Sequence, residues 1–448
     1  MSNLEVNKSN GYKAIFLSVI TIALPTMLEQ IMSVLMQYVD TAMVGHLGAE
    51  ATAAVSTSTS ITWLIGGVPN AFGVAVMTLI AQAIGSGNDK EIKKVAAHSV
   101  LYALAVGLAL EVICLLVSPF VAGWMGAEPS VAPMATKYFF WITVPVFLKA
   151  VYLIFAAAIR ATKDTKTPMY IGICANLINV VLNYILIYVA GLGVAGAAYA
   201  SCISTVIQAG AMVVAFVRNP VLGFRLKEFE ISKQTVARMW KLSFPVLVIN
   251  VASCMGYVVF AGMVSHMGTM IFAAHSIALG AEELFYIGGY GFKSAANTLV
   301  GISYGEQNYK KYHRVCISSI VCTLVVMIFS GAILFIFAEN LMRFFTNDAS
   351  VVALGTVVLK MVAFNEPFFG MYVISEGIYY GLGRTKYPLA IEFSGMWLVR
   401  IVSTSICIHF FNADLPMIWC CMIADNVSKA ILLTVPLKRL WKKSLNNV

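Results

Sequence analysis

Shifted by 220 residues, the chain superposes on itself without a gap through two apolar halves. Pro25 meets Pro245, Met43 and Val44 meet Met263 and Val264, and His46, Gly48, Ala53, Ala54 and Ser56 meet His266, Gly268, Ala273, Ala274 and Ser276. The register persists through Gly85, Asn88 and Lys90 against Gly305, Asn308 and Lys310. It still holds at Thr165-Lys166-x-Pro168 against Thr385-Lys386-x-Pro388. A duplication of this length in a strongly apolar chain implies two related structural units, an organisation in which a transported ligand lies between them.

The apolar character fixes the solvent. Hydrophobic residues make up 60% of the chain, charged residues only 11%, and mean hydropathy is +0.83. Soluble proteins carry about 25% charged residues. Such a surface is tolerable in a bilayer, where helices satisfy their own backbone groups and lipid covers the side chains. Stretches of about 20 apolar residues count as spans, and twelve are found: 15–44, 53–84, 96–121, 134–158, 168–190, 194–217, 240–265, 272–302, 315–338, 352–381, 388–411 and 415–437. Pro25 predicts a kink or tilt in the first. The polar start through Asn10 lacks a small-residue cleavage site, so the first span reads as a retained helix.

Basic residues alternate between loops. Lys90, Lys93 and Lys94, then Arg160, Lys163 and Lys166, then Arg218 to Arg238 occupy one set of loops. Lys310, Lys311 and Arg314, then Arg384 and Lys386, then Lys438 to Lys443 continue it, with Arg343 the exception on the other side. Positive charge marks the cytoplasmic side. The chain is therefore expected to be a multi-pass protein of the cell membrane with both termini cytoplasmic, its net charge of +9 setting topology rather than binding nucleic acid. An even number of spans per half makes the repeats parallel. The expected fold is all-α: twelve transmembrane helices as two six-helix lobes related by a pseudo-two-fold along the membrane normal. The domains read as an N-lobe over 1–217, a cytoplasmic linker over 218–239 and a C-lobe over 240–448. Nine cysteines, in or beside spans and without ligand spacing, predict neither a disulfide nor a structural metal.

Ionisable groups within spans are costly and usually face a cavity or a partner. Asp40 lies in Gln37-Tyr-Val-Asp40-Thr-Ala-Met-Val-Gly45, with Gln37 one turn away and Glu29 eleven residues back on nearly the same face. A carboxylate there can hold a proton or small cation, and the repeat puts Phe260 in its place, so the acid belongs to one half only. Asn176, Asn179 and Asn183 form one stripe on the fifth span, suited either to binding another helix or to lining a site beside Asp40. In the second half Lys293 and Arg400 replace Gly73 and Val180; with Glu282, Glu283 and Glu376 they are expected to form buried ion pairs or a second coupling or substrate site. Glu111 and Lys149 form another possible pair. Methionine and aromatic side chains suit packing and also a promiscuous pocket for cationic ligands. There is no phosphate loop, H-E-x-x-H or G-x-S-x-G, which argues against an enzyme and against ATP as the energy source.

Together the motifs resemble the multidrug and toxic compound extrusion (MATE) family over essentially the whole chain. They are Pro25, Asp40-x-x-x-x-Gly45-x-Leu-Gly48, Ala81-Gln82-Ala83-Ile84-Gly85-x-Gly87, Arg160-Ala-Thr-Lys-Asp164-Thr-Lys-x-Pro168, Asn179-Val-Val-Leu-Asn183, Gly193-x-Ala-Gly196-Ala-Ala-x-Ala-Ser201 and Gly381-x-Gly-Arg384-Thr-Lys-x-Pro388. The resemblance implies export of organic cations or amphipathic compounds in exchange for inward H⁺ or Na⁺, without another cofactor. It places cation coupling, including a possible Na⁺, at Asp40 with Asn179, Asn183 and Ser201. The chain departs from many prokaryotic members in having Asn183 for Asp and Ser201 for Thr, which leaves Asp40 as the main acid. It also lacks any acid over 245–265, where some members carry a Glu. Gln37, Glu29, Asn176, Glu282, Glu283, Lys293, Glu376 and Arg400 are candidates for the substrate cavity. The fused duplication fits a functional monomer. The rival expectation is a flippase for lipid-linked oligosaccharide precursors.

Overall fold

The apolar stretches fold as long helices in a computed structural model that describes residues 11–224, 231–411 and 413–445, the side chains of 57–60 and 438–445 excepted. The first ten residues, the linker cations Arg225 and Lys227 and the tail side chains of Lys438, Arg439, Lys442 and Lys443 lie outside this description. In the first half the helices are α1 (Tyr12–Gly45), α2 (Ala49–Gly85), α3 (Asp89–Trp124), α4 (Ala132–Thr143), α5 (Val146–Ala161), α6 (Lys166–Asn183) and α7 (Gly193–Arg218). In the second they are α8 (Lys233–Ser265), α9 (Thr269–Gly305), α10 (Tyr309–Phe345), α11 (Ala349–Ala363), α12 (Glu366–Gly381), α13 (Lys386–Phe393), α14 (Ser403–Phe411) and α15 (Leu415–Leu445). Among the described residues, ten helical spans are long and apolar enough to cross a membrane, and twelve if two bent pairs each count as one.

Those pairs are the expected spans 134–158 and 352–381, each of which is broken. The α4–α5 break bends the chain by 44° and the α11–α12 break by 52°. Pro145 at the first break and Pro367 just after the second cannot donate the backbone hydrogen bond an unbroken helix needs. The repeat sets Pro145 on Asn365, so both halves break at one register position. Pro25, by contrast, sits inside a helix that continues from Tyr12 to Gly45. Short π-helical segments, Tyr184–Val189 and Ser394–Val402, extend α6 and α13.

Two compact units result, and they do not coincide with the sequence halves. One comprises the described residues of 1–27, 81–87 and 255–448; the other those of 28–80 and 88–254. The exchange has a packing cause. Ile15, Val19, Ile22 and Ala23, one stripe of α1, are buried in a cluster with Phe292, Ala295, Ala296 and Leu433. At residues 81–87 the approach is too close for any side chain: a Cβ on Gly85 would lie 2.0 Å from the Ile302 carbonyl oxygen, and one on the repeat-matched Gly305 2.1 Å from that of Gln82. Gln82 Nε2 also donates to the Gly381 carbonyl at 2.9 Å. In the other unit the start of α8 is held by Tyr102, whose hydroxyl donates to the Val236 carbonyl at 2.9 Å, and by Phe72 against Trp240.

Candidate functional site

Within the unit 28–80 plus 88–254, Asp40 projects from α1 to the C-terminal end of α6. Asn183 Nδ2 donates to Asp40 Oδ1 at 2.6 Å. Asn179, one turn earlier, fits best with its amide turned so that Nδ2 donates to both Asp40 oxygens, at 3.1 and 3.2 Å. Its Oδ1 then accepts from Ser204 Oγ at 3.2 Å and from the Ser201 backbone N–H at 3.3 Å. Asn179 and Asn183 are buried while Asp40 and Ser201 are half-buried. Tyr138 of α4 stands within electrostatic reach of Asp40. The helix changes to π geometry at Tyr184, immediately after Asn183, a local irregularity common beside functional side chains. The result is one carboxylate surrounded by neutral amides and hydroxyls, with no cation paired to it among the described residues. Such a surround can exchange a proton or small cation because no fixed positive charge already neutralises the acid.

The structure assembles Asp40, Asn179, Asn183 and Ser201, and adds two residues the sequence reading passed over. Ser204 was available as a signal, three residues after Ser201 on the same face of α7. Tyr138 had no periodic signal. Gln37 is exposed and Asn176 half-buried, and neither hydrogen-bonds to Asp40.

Glu29 goes elsewhere. Its Oε1 accepts from the Tyr152 hydroxyl at 2.6 Å, and Arg160 Nη2 reaches both carboxylate oxygens at 2.8 Å. Its Cγ would lie 3.2 Å from a Cβ on Gly172. The acid thus belongs to a paired, buried ion bridge rather than to the Asp40 group. Glu111 accepts from the Phe147 backbone N–H at 3.3 Å, satisfying a donor freed by the α4–α5 break, and no ion pair joins it to Lys149 among the described residues.

In the unit containing 255–448 the ionisable side chains are mostly paired. Lys293 Nζ binds Glu376 Oε2 at 2.6 Å, and the Tyr380 hydroxyl donates to the other Glu376 oxygen. Arg400 pairs with Asp425 through Nη2 at 2.8 Å and Nε at 2.9 Å. Lys429 bridges Asp425 at 3.0 Å and Glu392 at 3.1 Å. Of the three acids considered for it, Lys293 therefore pairs with Glu376. Arg400 instead takes Asp425, and Glu282 receives the Tyr286 hydroxyl. Glu283 is half-buried beside it.

A polytopic helical membrane protein built from a duplicated half, with broken fourth and tenth spans and one amide-lined carboxylate on its first helix, defines a class of membrane transporter. The family model MatE matches residues 25–185 and again 245–406, and the chain belongs to that family, the MATE transporters. It is 28% identical over 436 residues to a probable multidrug resistance protein NorM of Thermotoga maritima, covering 95% of this chain and 92% of that one. It is 25% identical to the multidrug resistance protein NorM of Photobacterium profundum, covering 88% and 87%. Its fold is similar to that of a MOP superfamily transporter from Pyrococcus furiosus, with a TM-score of 0.92 at 19% identity over 96% and 97% of the two chains. An outward-facing multidrug resistance MATE transporter gives a TM-score of 0.91 at 19% identity, again over 96% and 97%.

Proposed function

We propose that this protein is a secondary active multidrug efflux antiporter that exports organic cations or other amphipathic compounds in exchange for H⁺ or Na⁺. It works as a monomer in the cell membrane, with both termini cytoplasmic and its two six-helix lobes giving alternating access. The observation that carries the reading is Asp40, held by Asn183 at 2.6 Å and faced by Asn179 without a paired cation among the described residues. The NorM relatives supply the substrate class. Asp40 takes the coupling ion from outside and favours the conformation that releases substrate; losing the ion inside resets the pump. Coupling follows because ion and substrate favour different states, and a ligand binding both equally would shift nothing.

The test is a fluorescent cationic dye in proteoliposomes under separately imposed H⁺ and Na⁺ gradients. Wild type moves dye under one gradient, which names the ion, and Asp40→Asn lowers that movement at least tenfold while still inserting in the membrane. Unchanged transport by Asp40→Asn removes Asp40 from coupling. No dye movement by wild type under either gradient overturns the antiporter and favours a flippase for lipid-linked oligosaccharide precursors.

A further inference from the structure

Lys293, Arg400 and Lys429, the buried or half-buried cations within spans of the second half, each bind a carboxylate. Lys149, half-buried in the span 134–158, does not. Among the described residues its ammonium has neither an ion pair nor a hydrogen bond. Glu111, the acid expected to meet it, accepts instead from the Phe147 backbone N–H. Lys149 Nζ stands 4.0 Å from where a Cβ on Gly66 of α2 would lie, and no other neighbouring group among the described residues comes as close to that point. The next residue, Gly67, receives Asn250 of α8, whose Nδ2 donates to the Gly67 carbonyl at 2.7 Å. All these residues belong to one compact unit.

The repeat sets Lys149 on Phe369 and Gly66 on Tyr286. In the second half those two rings stack with centroids 3.9 Å apart and fill the contact of α9 with α12. In the first half a lysine and a glycine stand in their place, so ring volume has been exchanged for space and a positive charge. Packing does not ask for this exchange. An ammonium within a span costs free energy when nothing compensates it. Lys149 is also the fourth residue of α5, near the positive end of that helix's dipole, where a cation is disfavoured. An anion brought to the ammonium relieves both costs.

We infer that Lys149 binds the carboxylate of an amphipathic organic acid, so that anionic and zwitterionic molecules are among the ligands of this chain. One ammonium matches one monoanion, and a charge-assisted hydrogen bond away from bulk water is among the strong ones. The surroundings suit the apolar remainder of such a ligand. Ile65 and Val146, beside Gly66 and one turn before Lys149, are buried in one apolar cluster with Phe139. Trp63, one turn before Gly66 on the same face of α2, is 53% exposed and offers a ring to stack on. Depth argues against a lipid headgroup. Lys149 lies about 14 Å along the helix from the end of its span at 158, at 1.5 Å per residue. Use of the site in export rests on the antiporter reading above; binding does not.

Binding is measured before transport. The full-length protein in phosphatidylcholine nanodiscs is titrated with dansylglycine, a fluorescent carboxylate, and with its neutral methyl ester. Wild type is compared with Lys149→Met, Lys149→Arg and the exposed control Lys90→Met. Wild type should bind dansylglycine saturably, and Lys149→Met should weaken it about tenfold or more, the loss of one hydrogen bond between charged groups. Lys149→Arg keeps the charge and should stay within about threefold of wild type. The ester should bind all four alike. Lys149→Met should melt no lower than wild type, since it strands no partner. Equal dansylglycine binding by wild type and Lys149→Met, or no saturable binding by wild type, overturns the site. So does a loss shared by acid and ester, which makes Lys149 a packing residue. A lowered melting temperature or a failure to assemble also overturns it, by making Lys149 half of an ion pair. Lys149-dependent binding without gradient-driven movement of dansylglycine in proteoliposomes keeps the site and rejects the antiporter reading instead.

Discussion

In the first half of the molecule a buried carboxylate reaches Tyr152 from α1 as Glu29, and Gly172 leaves the room it occupies. In the second half the repeat puts Ile249 where Glu29 stands and Glu392 where Gly172 stands, while Tyr372, the counterpart of Tyr152, stands beside Glu392. The same exchange happens at the helix breaks. Glu111 of α3 reaches the first break at Phe147, whereas its counterpart Gly331 makes room for Glu366, which stands on the second break itself at the position of Val146. Duplication has kept the place of each carboxyl, and at the first of them the tyrosine beside it, and has let the acid arrive from either side of a helix contact. What differs is compensation. Glu29 has Arg160, Glu392 has Lys429, and Glu111 has a backbone N–H, but Glu366 has no partner among the described residues.

The comparison breaks most severely at Asp425, the acid that serves both Arg400 and Lys429. Asp425→Asn removes the charge that neutralises the Arg400 guanidinium, 2% exposed beside the Tyr257 and Phe260 rings at 5.3 and 5.7 Å. Removing one member of a buried pair costs about 3–5 kcal/mol, so this variant should show the largest loss of thermal stability in detergent, or fail to accumulate. A wild-type melting profile would mean that the network is hydrated and weak.

A transplant sharpens the comparison. Glu29→Ile copies the second half and strands Arg160, at a cost of about 3 kcal/mol. Adding Gly172→Glu supplies the acid from the side used by Glu392, and the Glu29 Oε1 that lies 3.5 Å from a Cβ there is gone. The double variant should recover about 1–3 kcal/mol of the loss, as expected for residues sharing one contact. Thermal unfolding of the two single variants and the double measures this directly. Additive losses would show that the two acids do not occupy one place.

The limits of sequence reading follow the same lines. Apolar length reveals the spans because a bilayer demands it, and the asparagine stripe with Asp40 reveals the first-half cluster because helical period fixes which amides share a face. Period says nothing about level. Glu29 and Asp40 share a face of α1 but lie about 16 Å apart along it at 1.5 Å per residue, so one meets Arg160 and the other Asn183. Arg400 finds Asp425 across two helices, a pairing that no spacing encodes. The break at Asn365 is less plainly marked, since the proline of the first-half break is absent at that register position and Pro367 lies two residues further on. Nor does the sequence reveal that α1 serves both compact units, because its apolar stripe does not name its partner.

The smallest effect tests the tyrosines that the two halves retain. Tyr152→Phe removes one donor to Glu29 and leaves the two from Arg160. A hydrogen bond to a charged group contributes about 1.5–3 kcal/mol, and the retained guanidinium should hold the loss near the lower end. Tyr372→Phe removes the hydroxyl that stands beside Glu392, whose ion-pair partner is the single ammonium of Lys429 at 3.1 Å. An ammonium is a point charge without the two-pronged grip of a guanidinium, so the second-half variant should lose more. Paired melting curves decide it. Equal losses would mean that the tyrosine, rather than the cation, sets the stability of the carboxylate in both halves; a larger loss at Tyr152 would reverse the ranking and place the weaker bridge in the first half.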